Sequence, residues 1–576
     1  MSNGNERGAA RGAVSRRHFL TGGLGVAAAY VLAACGGPAA TAVSTASTAS
    51  TASTGSTAAT AAPTAVAVGA GGVATRTAAT GGTAPAIASP ATGGGAAGGS
   101  AASFITLPPP VAKLPTGPTT LRWLGTAGER KLFVDALVPA YHQSRQNITI
   151  EYTGLPFTEI AKILPAGIQN GDAPDLFELP SGVTGAQAVK QGWVGPLDDL
   201  IPDFAKWKAA FPRGSFVEGS NVFGGKTYSF PFESTLKNNA LLLYNVDYLK
   251  QAGADPQAKP LTWDEYRAVA KKVTQQGAGK YYGCIIAGAQ ASRLGDQVRF
   301  FGQMAGASGG SGGLVADLDF RTGQYNYTTA QYLAAVELLL GLKADGSFFP
   351  GTVSLNVQQT DSQFAQGVAG MLINGSYTFP QWAIDAPKFN YGVASQPVPN
   401  AGKPALFNAT AGGSTYWAYA KAKQPAIAGD ILSYAGSLPG QIALINIIGG
   451  SQPSVFPEAN AVSTLSLQAK QALALFAEQV VLAPSPAIRN PDTALVDLEY
   501  RALSPDFGTT IQGIFTGQLA DPKKALQDLQ DRADKELERA IKAAQAKGAK
   551  VSRDDYTFAK WDPSRNWTDA DYAASK

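Results

Sequence analysis

The sequence predicts an α/β protein made of two doubly wound lobes. Three observations predict it. Residues 119–178 alternate short apolar runs with amphipathic helical runs in the order β-α-β-α-β, the pattern of a parallel sheet with helices on both faces. A second α/β alternation starts after Thr262. Between the two, residues 224–253 hold a glycine turn, an apolar strand and a short capped helix, as a crossing between blocks requires.

In the first block, Leu121-Arg122-Trp123-Leu124 reads as a strand and 129–145 as a helix with Leu132, Phe133, Ala136, Leu137 and Tyr141 on one face. Ile148, Ile150 and Tyr152 alternate as a strand, 157–169 is a second helix, and 173–178 is a third strand. Ligands of such sheets sit beyond the carboxyl ends of the strands, here 123–126 and 178–182. Gly224-Gly225-Lys226 is a tight turn, since adjacent glycines take positive φ at little cost. Residues 226–232 read as a strand stopped by Pro231, 239–246 as a buried strand, and 248–252 as a helical turn closed by Gly253. Thr262 and Glu265 form a capping box for a helix over 263–275.

In the second block, 281–286 is a strand with Cys284 inside as a small hydrophobe, and 294–306 and 332–341 are helices. Residues 371–373 form a strand that opens at Asn374. Helices follow at 426–438 and 440–448. Asp521 caps the last long helix, with Pro522 in its first position and a stripe of Leu526, Leu529, Ala533, Leu537, Ala540 and Ile541.

Composition excludes several functions. Of a net charge of +4, most lies in Arg7, Arg11, Arg16 and Arg17 near the start, so the remainder is close to neutral and nothing favours nucleic acid. His18 and His142 make no zinc cluster. The glycine-rich run 306–313 lacks a following Gly-Lys-Ser/Thr, and the loop from Asp317 has Thr328 where a calcium loop needs glutamate. No nucleophile elbow or triad histidine is visible, and Glu178 and Asp296 are not marked as a catalytic pair. No catalytic residue, metal or cofactor is expected.

Residues 1–35 read as an export segment. Ser15-Arg16-Arg17-His18-Phe19-Leu20 resembles the twin-arginine motif, although Thr21 replaces its usual lysine and leaves the general secretory route open. The apolar run Leu20–Ala34 ends in Leu32-Ala33-Ala34-Cys35, which resembles a bacterial lipoprotein box. That resemblance implies acylation of Cys35 and an anchor on the outer face of the cell membrane. Residues 36–118, mostly Ala, Thr, Ser and Gly, cannot bury enough apolar surface to fold, and ~80 such residues make a tether spanning ~50 Å.

The crossing resembles the sugar-binding family of extracellular solute-binding proteins of ABC importers, and this implies the type II periplasmic-binding-protein fold, two doubly wound α/β lobes with a hinge and a central cleft. The resemblance rests on Gly225-Lys226 to Pro231, Tyr244-Asn245-Val246-Asp247-Tyr248-Leu249 to Gly253, and Pro260 to Glu265. Phe364 to Tyr377, Gly412 to Trp417, the block ending Gly449-Gly450-Ser451-Gln452-Pro453, and Asp521 to Leu526 extend it across 119–545. It implies lobe one over about 119–235 plus returning segments, lobe two over about 262–450 plus C-terminal helices, and a solute-binding domain ending near 550. A tail, 551–576, straps onto the body. The implied activity is capture of a sugar or oligosaccharide by a monomer that hands it to a membrane permease. An adhesin or sensor lipoprotein with the same fold is the alternative, and a secreted carbohydrate-active enzyme a further one.

Sugars present apolar C–H faces and hydroxyl rims, so their sites need aromatic platforms and planar hydrogen-bonding groups on two walls. The candidates are Trp123, Glu178, Ser181 and Asn238 on the first wall, and Arg293, Asp296, Asn374, Tyr377 and Gly413 on the second. Phe232 and Glu233 are hinge or ligand residues at the first crossing. In the family, the aromatic at the Tyr377 position often stacks on a sugar.

Overall fold

The computed structural model describes residues 101–180, 183–310 and 313–575. The export segment, Cys35, most of the tether and Ser181 therefore lie outside the described residues. Lobe one is built on β1 (Thr119–Thr126), α1 (Glu129–Ser144), β2 (Ile148–Leu155), α2 (Phe157–Gln169) and β3 (Leu176–Glu178). The chain crosses to lobe two at β4 (Leu241–Asn245) and continues through α3 (Trp263–Gly277), β5 (Tyr282–Cys284), α4 (Ala291–Met304), α5 (Val357–Ala365), β6 (Ala369–Asn374) and β7 (Tyr391–Ala394). It returns to lobe one for β8 (Tyr416–Ala418), α6 (Pro425–Ala435) and α7 (Leu438–Ile447). Helices α8 (Leu467–Gln479), α9 (Thr493–Glu499), α10 (Phe507–Thr516) and α11 (Pro522–Gln545) close the chain.

The first sheet has the order β8-β3-β1-β2, parallel between β1 and its two neighbours and antiparallel where β8 joins β3. The side-chain alternation of β1 covers both faces. Leu121 and Trp123 enter a core with α1, α6 and α7, while Leu124 enters a second core with Ile160 and Leu164 of α2. The second sheet has the order β7-β4-β6-β5, with β5 and β6 parallel and β4 antiparallel to both β6 and β7. Gly283 has to be glycine here, because a Cβ would lie 2.2 Å from the Ala270 carbonyl of α3. The Thr262–Glu265 capping box is formed, and Asp521 caps α11 through the Lys524 amide.

Four expectations need correction. Lobe two begins near 240 rather than 262, because β4 pairs within the second sheet. The helices at 425–447 belong to lobe one, where they bury Ile427, Ile431, Leu432, Leu444 and Ile445. Of the strand expected over 226–232, only Lys226–Thr227 pairs, with Val222–Phe223 across the glycine turn. The end of the expected tether is laid against lobe one. Ile105, Leu107 and Leu114 pack on its core, and the Val111 amide donates to Asp430 Oδ1 at 3.0 Å. Asp430 is itself a buried anchor, paired with Arg145 at 3.1 Å and accepting from Tyr141 at 2.8 Å.

The C-terminal tail does pack as a strap. Tyr556, Phe558, Trp561 and Trp567 are buried in the lobe-two core, and the Trp567 amide donates to the Leu482 carbonyl at 2.8 Å. Trp567→Ala is expected to cost about 3–5 kcal/mol, the usual range for a large buried aromatic. Urea unfolding checks this, with a fall in midpoint at unchanged slope.

Candidate functional site

Three crossings join the lobes: 232–240, 409–416 and 459–472, read from where the chain leaves one core and enters the other. Next to the first crossing, the carboxyl ends of β1 and β3 form a polar floor. Gly125, next to the end of β1, has no side chain, and a Cβ there would meet the Tyr152 hydroxyl at 2.5 Å and Glu178 Oε1 at 2.8 Å. The space is taken by Glu178, which is 2% exposed. Its Oε1 accepts from the Thr126 amide at 2.8 Å and hydroxyl at 2.9 Å, and its Oε2 accepts from Arg130 Nη1 at 2.7 Å.

Arg130, in the first turn of α1, spends the rest of its fork on Glu233. Nε donates to Oε1 at 2.8 Å and Nη2 to Oε2 at 3.0 Å. Lys237 reaches the same Glu233 at 3.1 Å and also Gln452 Oε1, and the Ser234 amide donates to the Pro453 carbonyl at 2.8 Å. One guanidinium thus ties the sheet floor to the first crossing, and the first crossing is tied to the segment leading into the third. Burial works to raise the Glu233 carboxyl, but Arg130 and Lys237 outweigh it and hold it far below the usual range. Glu129 has no such partner. Burial and the Glu233 charge push it up to about 7, against only Lys237, Arg130 and a 3.2 Å hydrogen bond from Ser451.

A second polar wall comes from lobe two, at the end of β6. Asn374 Nδ2 donates to Asp361 Oδ1 of α5 at 2.8 Å, and the Tyr377 hydroxyl donates to Asn374 Oδ1. Arg293 of α4 stands over the Tyr377 ring at 5.9 Å. Gly375 leaves room for both neighbours, since a Cβ would lie 2.5 Å from Asn239 Oδ1 and 2.6 Å from the Tyr377 ring. Behind this wall lies a cavity of about 20 Å³ lined by Asn239, Arg293, Asp361 and Asn374, enough for one water. Burial pushes Asp361 up to about 7, with Arg293 and Asn374 pulling the other way. Burial raises the Tyr377 phenol as well, with the Arg293 charge pulling the other way.

The sequence candidates distribute unevenly over this site. Glu178 and Glu233 fall in the first of these clusters, and Arg293, Asn374 and Tyr377 in the second. Asn238 lies in the first crossing, where Oδ1 accepts from the Ala240 amide at 3.0 Å and Nδ2 is buried without a partner among the described residues. Asp296 is engaged by Arg299, which also holds Asp317, and stands 3.9 Å from Arg293. Trp123 is a correction. It is 1% exposed, with Tyr152 and Tyr416 edge-on at 5.6 and 4.9 Å, so it is core and not an open platform. Gly413 is another. With φ at 113°, it packs on Pro231 and Thr235, and its carbonyl accepts from Asn221 at 2.7 Å, so it joins two crossings. Arg130, Glu129, Lys237, Asn239 and Asp361 were missed. A surface-type helix start such as Glu129-Arg130 carries no sequence mark of burial.

The family model for bacterial extracellular solute-binding proteins matches residues 125–442. The chain belongs to that family. Its members are binding proteins. A binding protein of Brucella abortus (strain 2308) is 27% identical over 281 residues, which is 48% of this chain and 62% of the relative. The chain thus spans about three fifths of the length of this relative. An ABC transporter extracellular-binding protein of Pyrococcus horikoshii is 26% identical over 158 residues, 27% of this chain and 34% of the relative. Among solved structures, the fold is shared with an ABC substrate-binding protein of Listeria monocytogenes in complex with cycloalternan. The TM-score is 0.53 at 17% identity, over 72% of this chain and 98% of that one. The GacH receptor of Streptomyces glaucescens, solved unliganded and with acarbose, gives 0.54 at 17% identity, over 73% and 98%.

Two predictions test this geometry. Arg130→Met strands two buried carboxylates and is expected to cost about 3–5 kcal/mol, read from urea unfolding. Arg130→Lys restores the charge but not the fork and recovers only part of it. For Glu129 and Asp361, folded values near 7 exceed the ordinary 4.5 and 3.8. Each therefore binds its proton more tightly when folded, and its contribution to stability is complete at low pH and lost as pH rises through 7. Glu129→Gln and Asp361→Asn are expected to raise the melting midpoint at pH 8 and to leave it unchanged at pH 4.

Proposed function

We propose that this member of the family is an exported, lipid-anchored receptor that captures a sugar or oligosaccharide between its lobes and delivers it to an ABC importer. The observation that carries the reading is the pair of walls just described. Tyr377 supplies a ring at the lobe boundary, Asn374 and Asn239 supply planar amides, Arg293 supplies a fixed cation, and lobe one adds the Glu178–Arg130 floor. A ring with planar donors and acceptors beside it matches the C–H face and hydroxyl rim of a pyranose. Cycloalternan and acarbose, the ligands of the two structural relatives, are in keeping with that chemistry. The crossings let the lobes part and close, so that a ligand touching both walls favours closure. The resemblance of Leu32-Ala33-Ala34-Cys35 to a lipoprotein box and of Ser15 to Leu20 to an export motif supports the location.

Ligand that binds only the folded chain raises its melting midpoint. A panel of maltotriose, raffinose, mannotriose and sn-glycerol-3-phosphate, read by thermal shift and calorimetry, is expected to give a shift with at least one neutral sugar. Tyr377→Ala is expected to weaken that sugar by about tenfold or more, from the loss of a stacked ring. Recovery of a chemically altered sugar, or a response to sn-glycerol-3-phosphate alone, contradicts the reading.

A further inference from the structure

The small cavity behind the lobe-two wall holds one buried group that the protein leaves unsatisfied. The cavity, about 20 Å³, is lined by residues of α4, of α5 and of the end of β6. Its lining combines apolar Ile286, Phe300 and Val357 with Arg293, Asp361 and Thr360.

Thr360 decides what this cavity takes. A threonine inside a helix ordinarily turns its hydroxyl onto the carbonyl one turn back. Thr274, Thr510 and Thr516 do so here, at 2.9, 2.7 and 2.8 Å. Thr360 does not. The residue is 1% exposed, its hydroxyl oxygen is buried, and that oxygen has no hydrogen-bond partner among the described residues. A buried hydroxyl ordinarily finds one, so the contents of the cavity have to supply it.

The frame around Thr360 is fixed. The Val357 amide donates to Oε1 of Gln290, the residue before α4, at 2.8 Å, and Trp382 Nε1 donates to the Asp361 carbonyl at 3.0 Å. Asn374 joins Asp361 to the Tyr377 hydroxyl, so a pyranose lying on the Tyr377 ring has its hydroxyl rim beside the cavity. A space that holds one water also holds one hydroxyl group. The charges of the lining narrow the choice. An anion would meet Asp296 and Asp361, and a cation would meet Arg293. A hydroxyl suits them all, because it donates to a carboxyl and accepts from a guanidinium.

We propose that this cavity is a hydroxyl subsite of the cleft. It admits one hydroxyl or hydroxymethyl group of the captured sugar onto Thr360 Oγ1 and excludes a sugar phosphorylated or acylated at that position. This rests on the cleft reading above and makes Thr360 a residue that sets specificity.

Calorimetry on the whole chain with maltotriose, raffinose and mannotriose tests it, together with monodeoxy derivatives of whichever sugar binds. Thr360→Val, which exchanges the hydroxyl for a methyl group, is expected to weaken that sugar by about tenfold. The melting midpoint of the ligand-free chain is expected to stay the same or rise, since the hydroxyl removed has no protein partner. On the native chain one monodeoxy derivative is expected to show the same loss, and on Thr360→Val that derivative loses nothing further, as a shared contact requires. Thr360→Ser, which keeps the hydroxyl, is expected to retain the native affinity and the response to that derivative. The proposal is overturned if Thr360→Val binds the sugar as tightly as the native chain, or if every monodeoxy derivative loses equally on both chains. A lower midpoint with unchanged affinity marks a hydroxyl that serves the fold alone and overturns it too. Binding that ignores Thr360 strikes this proposal and leaves the cleft reading standing, whereas failure of all three sugars to bind the native chain strikes both.

Discussion

The architecture turns on one guanidinium. Arg130 starts α1, yet its three nitrogens hold carboxylates from two other parts of the chain, Glu178 at the end of β3 and Glu233 in the first crossing. Taking a charge from water is costly, and the cost is recovered only when each donor and acceptor is matched in good geometry. Here the match is met by a planar fork, by the Thr126 amide and hydroxyl, and by Lys237. The consequence is mechanical. The floor of the first sheet and the crossing that leaves it are tied together through a single side chain.

Absent side chains complete the arrangement. Gly125 makes space for Glu178 and Tyr152, and Gly375 for Asn239 and Tyr377. In each case a side chain important to a wall occupies the volume that a Cβ would fill. Close packing of this kind fixes rotamers, and fixed rotamers give a binding wall its shape before ligand arrives. Against this rigidity stand two carboxyls with values near 7, Glu129 and Asp361, one on each wall. Their charge near neutrality depends on how much water reaches the gap between the lobes.

Much of the fold was legible in the sequence because local signals and the global fold agree. The β-α-β-α-β run, the Thr262–Glu265 capping box, the Asp521 cap and the stripe of α11 are periodic or positional, and all are formed. The lobe boundaries were less legible. An apolar strand such as β4 reads the same in either sheet, and the helices at 425–447 carry nothing that says which core receives them. At the candidate site, Asn374 and Tyr377 could be found through their glycine and aromatic spacing. Arg130 and Asp361 could not, since a charged residue on an amphipathic helix looks solvated until the partner brought by tertiary contact is known. Trp123 erred in the opposite direction, as a large aromatic at a strand end that belongs to the core.

The central claim is that the two walls close on a ligand held between them. Spin labels at Ile163 on lobe one and Ile384 on lobe two, both exposed, report the separation of the lobes directly. With Cys35→Ser and Cys284 buried, only the introduced thiols react. Pulsed electron double resonance is expected to show one distribution that shifts and narrows on addition of the sugar giving the largest thermal shift, and that stays put when Tyr377→Ala is present. A distribution unchanged by a sugar that demonstrably binds would contradict the account.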